Sequence, residues 1–197
     1  KSYDFVLALA MPLTVGLIFI SPSAILLLSG EGFASAILTS QIIAFNILTV
    51  SIAGVMGFQV LYPMGRINTV IFCTFIGAIV NILMNVLLTP VYGHNGTAVA
   101  YMLAEVAVTF SMFILGRKYI PIQFFKKEHL HYIIGSVVMG IGLYFISNSQ
   151  LDNIMMLTFM LLVGGLTYVG ILVVLKDSVS KIIQKTISQY FEKKKIL

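Results

Sequence analysis

The chain has 197 residues, 59% of them hydrophobic and only 10% charged, with a formal net charge of +5. A soluble domain carries about 25% charged residues, so this chain lacks the charge to cover a water-facing surface. A mean hydropathy of +1.02 places it in a bilayer instead, and about 20 apolar residues per crossing allow six or seven spans with little left for a soluble domain.

The 12 Lys/Arg fall between or after the apolar runs. That pattern reads as the positive-inside bias of membrane proteins, not as a nucleic-acid surface. The single cysteine, Cys73, lies inside an apolar run; it can form no intramolecular disulfide and reads as a small core residue. The chain opens Lys-Ser-Tyr-Asp, without Met or a cleavable signal pattern. It reads as part of a longer protein.

Six apolar segments follow in order, at residues 5–28, 34–62, 67–88, 97–115, 130–146 and 154–175. Pro12 and Ser21-Pro22-Ser23 interrupt the first. Proline removes a backbone donor and clashes with the preceding turn, so this helix is expected to bend. The second carries two stripes at helical spacing. One is Gln41, Phe45, Leu48, Ile52, Val55 and Gln59; the other, of smaller residues, is Asn46, Thr49, Ala53 and Gly57. Pro63-Met64-Gly65-Arg66 closes it.

The third segment carries Asn81 and Asn85 one turn apart and is expected to stop at Thr89-Pro90. A tight outer turn, Tyr92-Gly93-His94-Asn95-Gly96, leads to the fourth segment, which carries Glu105 near its middle. The mixed basic and aromatic stretch from Arg117 to Glu128 suits the headgroup region. After the sixth segment, Val179, Ile182, Ile183, Ile187, Tyr190 and Phe191 repeat at i, i+3, i+4 spacing opposite Lys181, Lys185 and Ser188. Residues 177–197 therefore read as a cytoplasmic amphipathic helix on anionic lipid.

The expected fold class is thus an all-α integral membrane protein: a six-helix bundle over residues 1–176 with an interfacial C-terminal helix. Lys1, Arg66, the Arg117–Lys127 cluster and the lysine tail fall in alternate connections, while the others carry Glu31, no charge, and Asp152. Six spans with both ends cytoplasmic satisfy every connection.

The intramembrane polar residues are the candidate site. A charged carboxylate at mid-helix costs roughly 2.5–3.5 kcal/mol on the insertion scale, so Glu105 is either a proton or cation coupling group or a protonated interhelical donor. At 1.5 Å rise per residue, Asn81 and Glu105 both lie roughly 10–15 Å from the outer face. The Asn81 amide is therefore expected to reach Glu105, directly or through water. Asn81 and Asn85 serve equally well as substrate contacts or as interhelical glue. Gln41 and Gln59 either line a hydrophilic path or bond neighbouring helices. Arg66 marks the cytoplasmic end of the second span and is also placed to receive a diphosphate. Gly96, Ala100 and Ala104 form a small-residue stripe for close helix packing, with Ser136 and Gly140 a weaker one.

Glu128-His129-x-His131 lacks the i,i+4 spacing of a zinc helix. There is no phosphate-binding Gly loop followed by Lys, no Ser/His/Asp set and no Cys/His set. Nothing argues for enzyme chemistry, a cofactor or a metal.

Asn81-x3-Asn85-x4-Pro90-x-Tyr92-Gly93-x2-Gly96-x-Ala98-x-Ala100-x4-Glu105 resembles the C-terminal half of Wzx-type polysaccharide flippases, of the multidrug/oligosaccharidyl-lipid/polysaccharide exporter superfamily. Pro12-Leu13-x2-Gly16-Leu17, Gly30-x2-Phe33 and Gln59-x-Leu61-x-Pro63-x-Gly65 resemble it too, so the likeness covers about residues 5–120. It implies two six-helix bundles around a cavity that opens alternately to each side, this chain being the second. It implies an undecaprenyl-diphosphate-linked oligosaccharide as cargo, flipped across the bacterial cytoplasmic membrane for capsule, O-antigen or exopolysaccharide assembly. It also implies contact with the N-terminal bundle, with membrane lipids and with polymerases or glycosyltransferases. Two residues depart from the pattern: Thr97 stands where the family usually has Ala, and Thr89 where it usually has Ile. No span carries Lys or Arg, so the cations for a diphosphate would come from the other bundle or from Arg66. A cation-coupled drug exporter of the same superfamily and a non-transporting membrane partner of a polysaccharide assembly complex are the competing expectations.

Overall fold

A computed structural model of the chain describes residues 2–119, 126–149 and 151–175. Among them every regular element is helical, with no strand. The first span is α1 (Ser2–Ser29), followed by a short 3-10 turn at Glu31–Phe33. The second span, Ala36–Leu61, is built from α2 (Ala36–Ala44), α3 (Asn46–Gly54) and a wide π turn at Val55–Leu61. Then come α4 (Ile67–Tyr92), α5 (His94–Gly116), α6 (Lys127–Ser147) and α7 (Asn153–Val174). Six of these helical segments are long and apolar enough to cross a membrane. The expected amphipathic tail at 177–197, and Lys1, lie outside the described residues, as do 120–125 of the headgroup stretch.

The interruption expected at Ser21-Pro22-Ser23 is absent. α1 is one continuous helix with Pro12 and Pro22 inside it. The reason lies in its neighbours. Pro12 withdraws the N–H that would serve the Ala8 carbonyl four residues back; the Tyr168 hydroxyl of α7 donates to that carbonyl at 2.6 Å instead. Pro22 likewise frees the Ile18 carbonyl, and Gln41 Nε2 of α2 donates to it at 3.0 Å. Proline inside a membrane helix is tolerated where neighbours re-satisfy the freed group, and here each neighbour can be named.

The third span also runs past its expected end. α4 continues through Pro90 to Tyr92. In the last turn the proline removes one intrahelical bond, and the Gly93 N–H closes the helix on the Thr89 carbonyl at 2.8 Å. Gly93 alone makes the reversal, at φ 57° and ψ −135°, a conformation glycine adopts without the Cβ clash of other residues. The expected Tyr92–Gly96 turn thus contracts to one residue, and α5 starts at His94. α6 starts at Lys127, three residues before the expected 130, because the Lys126 N–H reaches His129 Nδ1 at 3.4 Å across its first turn.

Two buried clusters hold the bundle. One joins α1, α6 and α7 through Leu7, Ala8, Tyr132, Met139, Leu143, Met160, Tyr168 and Leu172, and takes in Val55. The other joins the second span to α4 and α5 through Ala53, Met56, Leu61, Val70, Cys73 and Met112. The second span therefore packs on both sides and ties the halves together. Cys73 is a free, fully buried thiol, as expected of a small core residue.

Contacts at the helix ends fix the up-down order. Asp4 at the start of α1 meets Lys126 at the start of α6, and Arg66 before α4 lies over the ring of Tyr119 after α5. At the opposite end Thr39 of α2 meets His94 and Asn95, and Ser23 of α1 meets Met156 of α7. Arg66, Arg117, Lys118 and Lys126 thus share one end of the bundle, while Glu31, His94 and Asp152 lie toward the other. Among the described residues the alternation of charge is the one expected from the sequence.

Candidate functional site: polar groups inside the helix bundle

The α4–α5 hairpin is a close helix contact, and small residues make it so. A Cβ on Gly96 would stand 2.3 Å from the Leu88 carbonyl oxygen, and one on Gly77 would stand 2.2 Å from Val108 Cγ2. Ala100 and Ala104, with Gly96, are buried on the face of α5 turned to α4. The small-residue stripe therefore packs a helix, as its spacing suggested.

Along α4 the amides form a ladder. Asn85 Nδ2 donates to the Asn81 carbonyl oxygen at 3.0 Å and to Asn81 Oδ1 at 3.1 Å. The Thr89 hydroxyl donates to Asn85 Oδ1 at 2.9 Å and stands 3.0 Å from the Thr97 hydroxyl of α5. Thr89 and Thr97, the two departures from the flippase pattern, close the ladder across the hairpin. Each amide keeps polar atoms to spare, and both asparagines are only half-buried.

Glu105 does not join that ladder. No direct hydrogen bond links its carboxyl to Asn81, whose Oδ1 accepts from Asn85. Equal distance from the hairpin turn does not fix direction around the helix axis. The side of α5 turned to α4 is the one bearing Gly96, Ala100 and Ala104. Glu105 shares its face with Thr109 and Met112, and that face meets the second span. The Thr109 hydroxyl donates to the Thr49 carbonyl at 3.1 Å and to the Glu105 carbonyl at 2.9 Å, and a Cβ on Gly57 would sit 3.4 Å from Met112 Cε.

The other sequence candidates part company. Gln41 is spent on the Ile18 carbonyl, which is the interhelical-bond reading. Gln59 is exposed on the π turn. There the i→i+5 bonds from Tyr62 N–H to Gly57 and from Arg66 N–H to Leu61, both 2.9 Å, widen the helix. Such turns often mark functional positions. Arg66 is exposed, with its guanidinium carbon 4.3 Å from the Tyr119 ring centroid. Pro90, Tyr92 and Gly93 are exposed at the hairpin tip.

One cluster escaped the sequence reading. Asp4, 8% exposed, accepts from Lys126 Nζ at 3.1 and 3.0 Å and stands 3.0 Å from His129 Nε2. Because His129 Nδ1 accepts from the Lys126 N–H, Nε2 carries the hydrogen and donates to the carboxylate. Tyr3 and Tyr132 flank the imidazole at 5.5 and 6.1 Å. This knot pins α1 to α6 at the basic end of the bundle. Its signal in the sequence was a carboxylate opening an apolar run, with no indication of the partner. Among the described residues no group of His, Cys, Asp and Glu is placed to hold a metal.

No family model and no solved structure matches the chain. It is similar to an uncharacterized membrane protein of Methanocaldococcus jannaschii, 25% identical over 94% of this chain and 38% of that protein. The present chain is an all-α integral membrane protein, with six helical segments among the described residues long and apolar enough to span. The chain spans 38% of the length of that relative.

Chemically, the middle of the bundle, among the described residues, offers amides, hydroxyls and the Glu105 carboxyl, and no lysine or arginine. Such a surface can bind hydroxyl-rich cargo or water and can carry one titrating charge. It does not by itself neutralise a phosphate.

Proposed function

We propose that this chain is one bundle of a transporter that flips an undecaprenyl-diphosphate-linked oligosaccharide across the cytoplasmic membrane for capsule, O-antigen or exopolysaccharide assembly. The observation that carries the reading is the α4–α5 hairpin: half-buried Asn81, Asn85 and Glu105 stand within apolar spans where lipid penalises them. The resemblance over residues 5–120 supports it. The partial coverage of a longer membrane protein fits a two-bundle molecule.

In this reading the basic end of the bundle is cytoplasmic, after the positive-inside rule, and the Gly93 turn faces outside. The ladder amides and Gln59 meet sugar hydroxyls, and Glu105 carries the coupling charge. Arg66, held at the cytoplasmic end by Tyr119, is the cation of this bundle nearest an incoming diphosphate. The rest of the diphosphate charge is met by the other bundle. The protein performs no chemistry on its cargo and needs no cofactor.

The test is complementation with the whole protein in cells lacking their own flippase. Glu105→Ala and Asn81→Ala are expected to cut surface polysaccharide tenfold or more at unchanged membrane abundance. Normal export by both variants sinks the reading of these residues. Ion-dependent efflux of small cationic compounds, without polysaccharide export, points instead to the drug-exporter alternative.

A further inference from the structure

Asn46 of α3, like Ser136 of α6, is a buried polar side chain left without a hydrogen-bond partner. It is 4% exposed, and both its Oδ1 and Nδ2 are buried without a hydrogen-bond partner. An unsatisfied amide in an apolar interior costs on the order of a few kcal/mol, and inside a membrane no bulk water relieves it. It sits at an irregular point of the second span, where Phe45 separates α2 from α3 and the bonds tighten to i→i+3 (Phe45 N–H to Ile42, Leu48 N–H to Phe45, both 3.2 Å).

Two contacts give its level. The Thr39 hydroxyl bonds Asn95, and the Thr109 hydroxyl bonds the Thr49 carbonyl. Between those contacts ten residues of the second span run beside fourteen of α5, so Asn46, three residues short of Thr49, stands level with residue 105. Its face is given too. Asn46 is seven residues, two helical turns, from both Thr39 and Ala53. Thr39 bonds α5, and Ala53 shares a buried cluster with Met112 of α5. Glu105 in turn is seven residues before Met112 and four before Thr109. Asn46 and Glu105 therefore oppose one another across the α3–α5 contact, yet no hydrogen bond joins them.

We infer that Asn46 and Glu105 are the two halves of one intramembrane site that binds a bridging water, placing Glu105 in proton exchange with it. This rests on the reading of Glu105 as the coupling carboxyl and names its partner. The Asn46 Nδ2–H donates to the water oxygen, and the water donates to a carboxylate oxygen of Glu105. When a hydronium delivers its proton, the Glu105 carboxylate becomes a carboxylic acid, water is released, and the bridging water then accepts from the acid O–H. Buried waters serve polar groups of this kind, with about three bonds each. The ionisable side chains of the surrounding elements are few: the second span has none, α4 has Cys73 and Tyr92, α5 has Tyr101 and His94 besides Glu105, and α1 has Tyr3 and Asp4 at its start.

Infrared difference spectroscopy of the full chain in liposomes, titrated with pH, tests this. The Glu105 carboxyl band is identified by its loss in Glu105→Gln. In Asn46→Leu the protonated-carboxyl band is expected to move to higher wavenumber. The titration midpoint is expected to rise by about one pH unit or more, since the charged form loses a hydrogen-bonded neighbour. A water O–H band that shifts in oxygen-18 water is expected in the native chain and absent from Asn46→Leu. Asn46→Ser, which keeps a hydroxyl and room, is expected to retain the band. If Asn46→Leu does not fold, Asn46→Ala is read by the same bands. An unchanged carboxyl band and midpoint in a folded variant overturns the inference. So does a shift driven by sodium at fixed pH, which would make a metal ion the occupant. Normal export by Glu105→Gln with the spectral coupling intact would instead refute the transport role of Glu105 and leave the site standing.

Discussion

The Tyr168–Ala8 contact makes a prediction that can be worked through. Tyr168→Phe removes the donor and keeps the ring, so packing is preserved while the Ala8 carbonyl is orphaned in a buried site. A lost neutral hydrogen bond costs about 1 kcal/mol, and an orphaned buried group about 1–3 kcal/mol. Interhelical bonds in membranes average about 0.6 kcal/mol, with a maximum near 1.7. At 2.6 Å, fully buried and with no alternative donor left by Pro12, this bond belongs near the upper figure, about 1.5 kcal/mol. The informative background is Pro12→Ala. Alanine restores an N–H four residues beyond Ala8, so the helix itself satisfies the carbonyl. In that background Tyr168→Phe is expected to cost under about 0.5 kcal/mol, a coupling of about 1 kcal/mol or fivefold in the folded ratio. Reversible unfolding in mixed micelles of the four variants measures it. If Tyr168→Phe costs the same with proline or alanine at residue 12, the hydroxyl is not replacing the proline's missing bond, and the account of how α1 stays continuous is wrong.

Two further expectations separate backbone from side-chain crowding and charge from packing. Gly96→Ala drives a Cβ into the Leu88 carbonyl, which cannot move without the helix, whereas Gly77→Ala meets the Val108 side chain first and the Ala104 carbonyl oxygen only at 3.3 Å. Both are expected to destabilise by about 1–3 kcal/mol, but Val108→Ala should rescue Gly77→Ala and not Gly96→Ala in the same unfolding assay. Asp4→Asn leaves the Lys126 ammonium without its counter-charge, and Lys126 is one-third exposed, so solvent screening holds the loss to about 1 kcal/mol. Protease cutting near Lys126 is expected to accelerate severalfold, and a cutting rate unchanged from the native chain would remove the knot from the account of α1–α6 docking.

The sequence by itself determined the solvent, the number of spans and their up-down order. Those follow from composition, from runs long enough to cross hydrocarbon and from the placement of Arg66 and Arg117 against Glu31 and Asp152. It also located the hairpin, because Gly93 and the small residues after it permit one tight reversal. What it did not reach at the prolines was the partner: a local rule says where Pro12 and Pro22 withdraw a donor, but not that Tyr168, far away in sequence, supplies another. The same limit governed Glu105. Depth along a helix is read from residue count, and that count put Asn81 level with it. Direction around the helix axis depends on which neighbour each face meets, and that is set by the packing of Gly96, Ala100 and Ala104 against α4. Only the tertiary structure set the face of α5 that carries Thr109 and Met112 against the second span and left Asn46 buried without a partner, because long-range helix contacts choose the faces that the spacing merely offers.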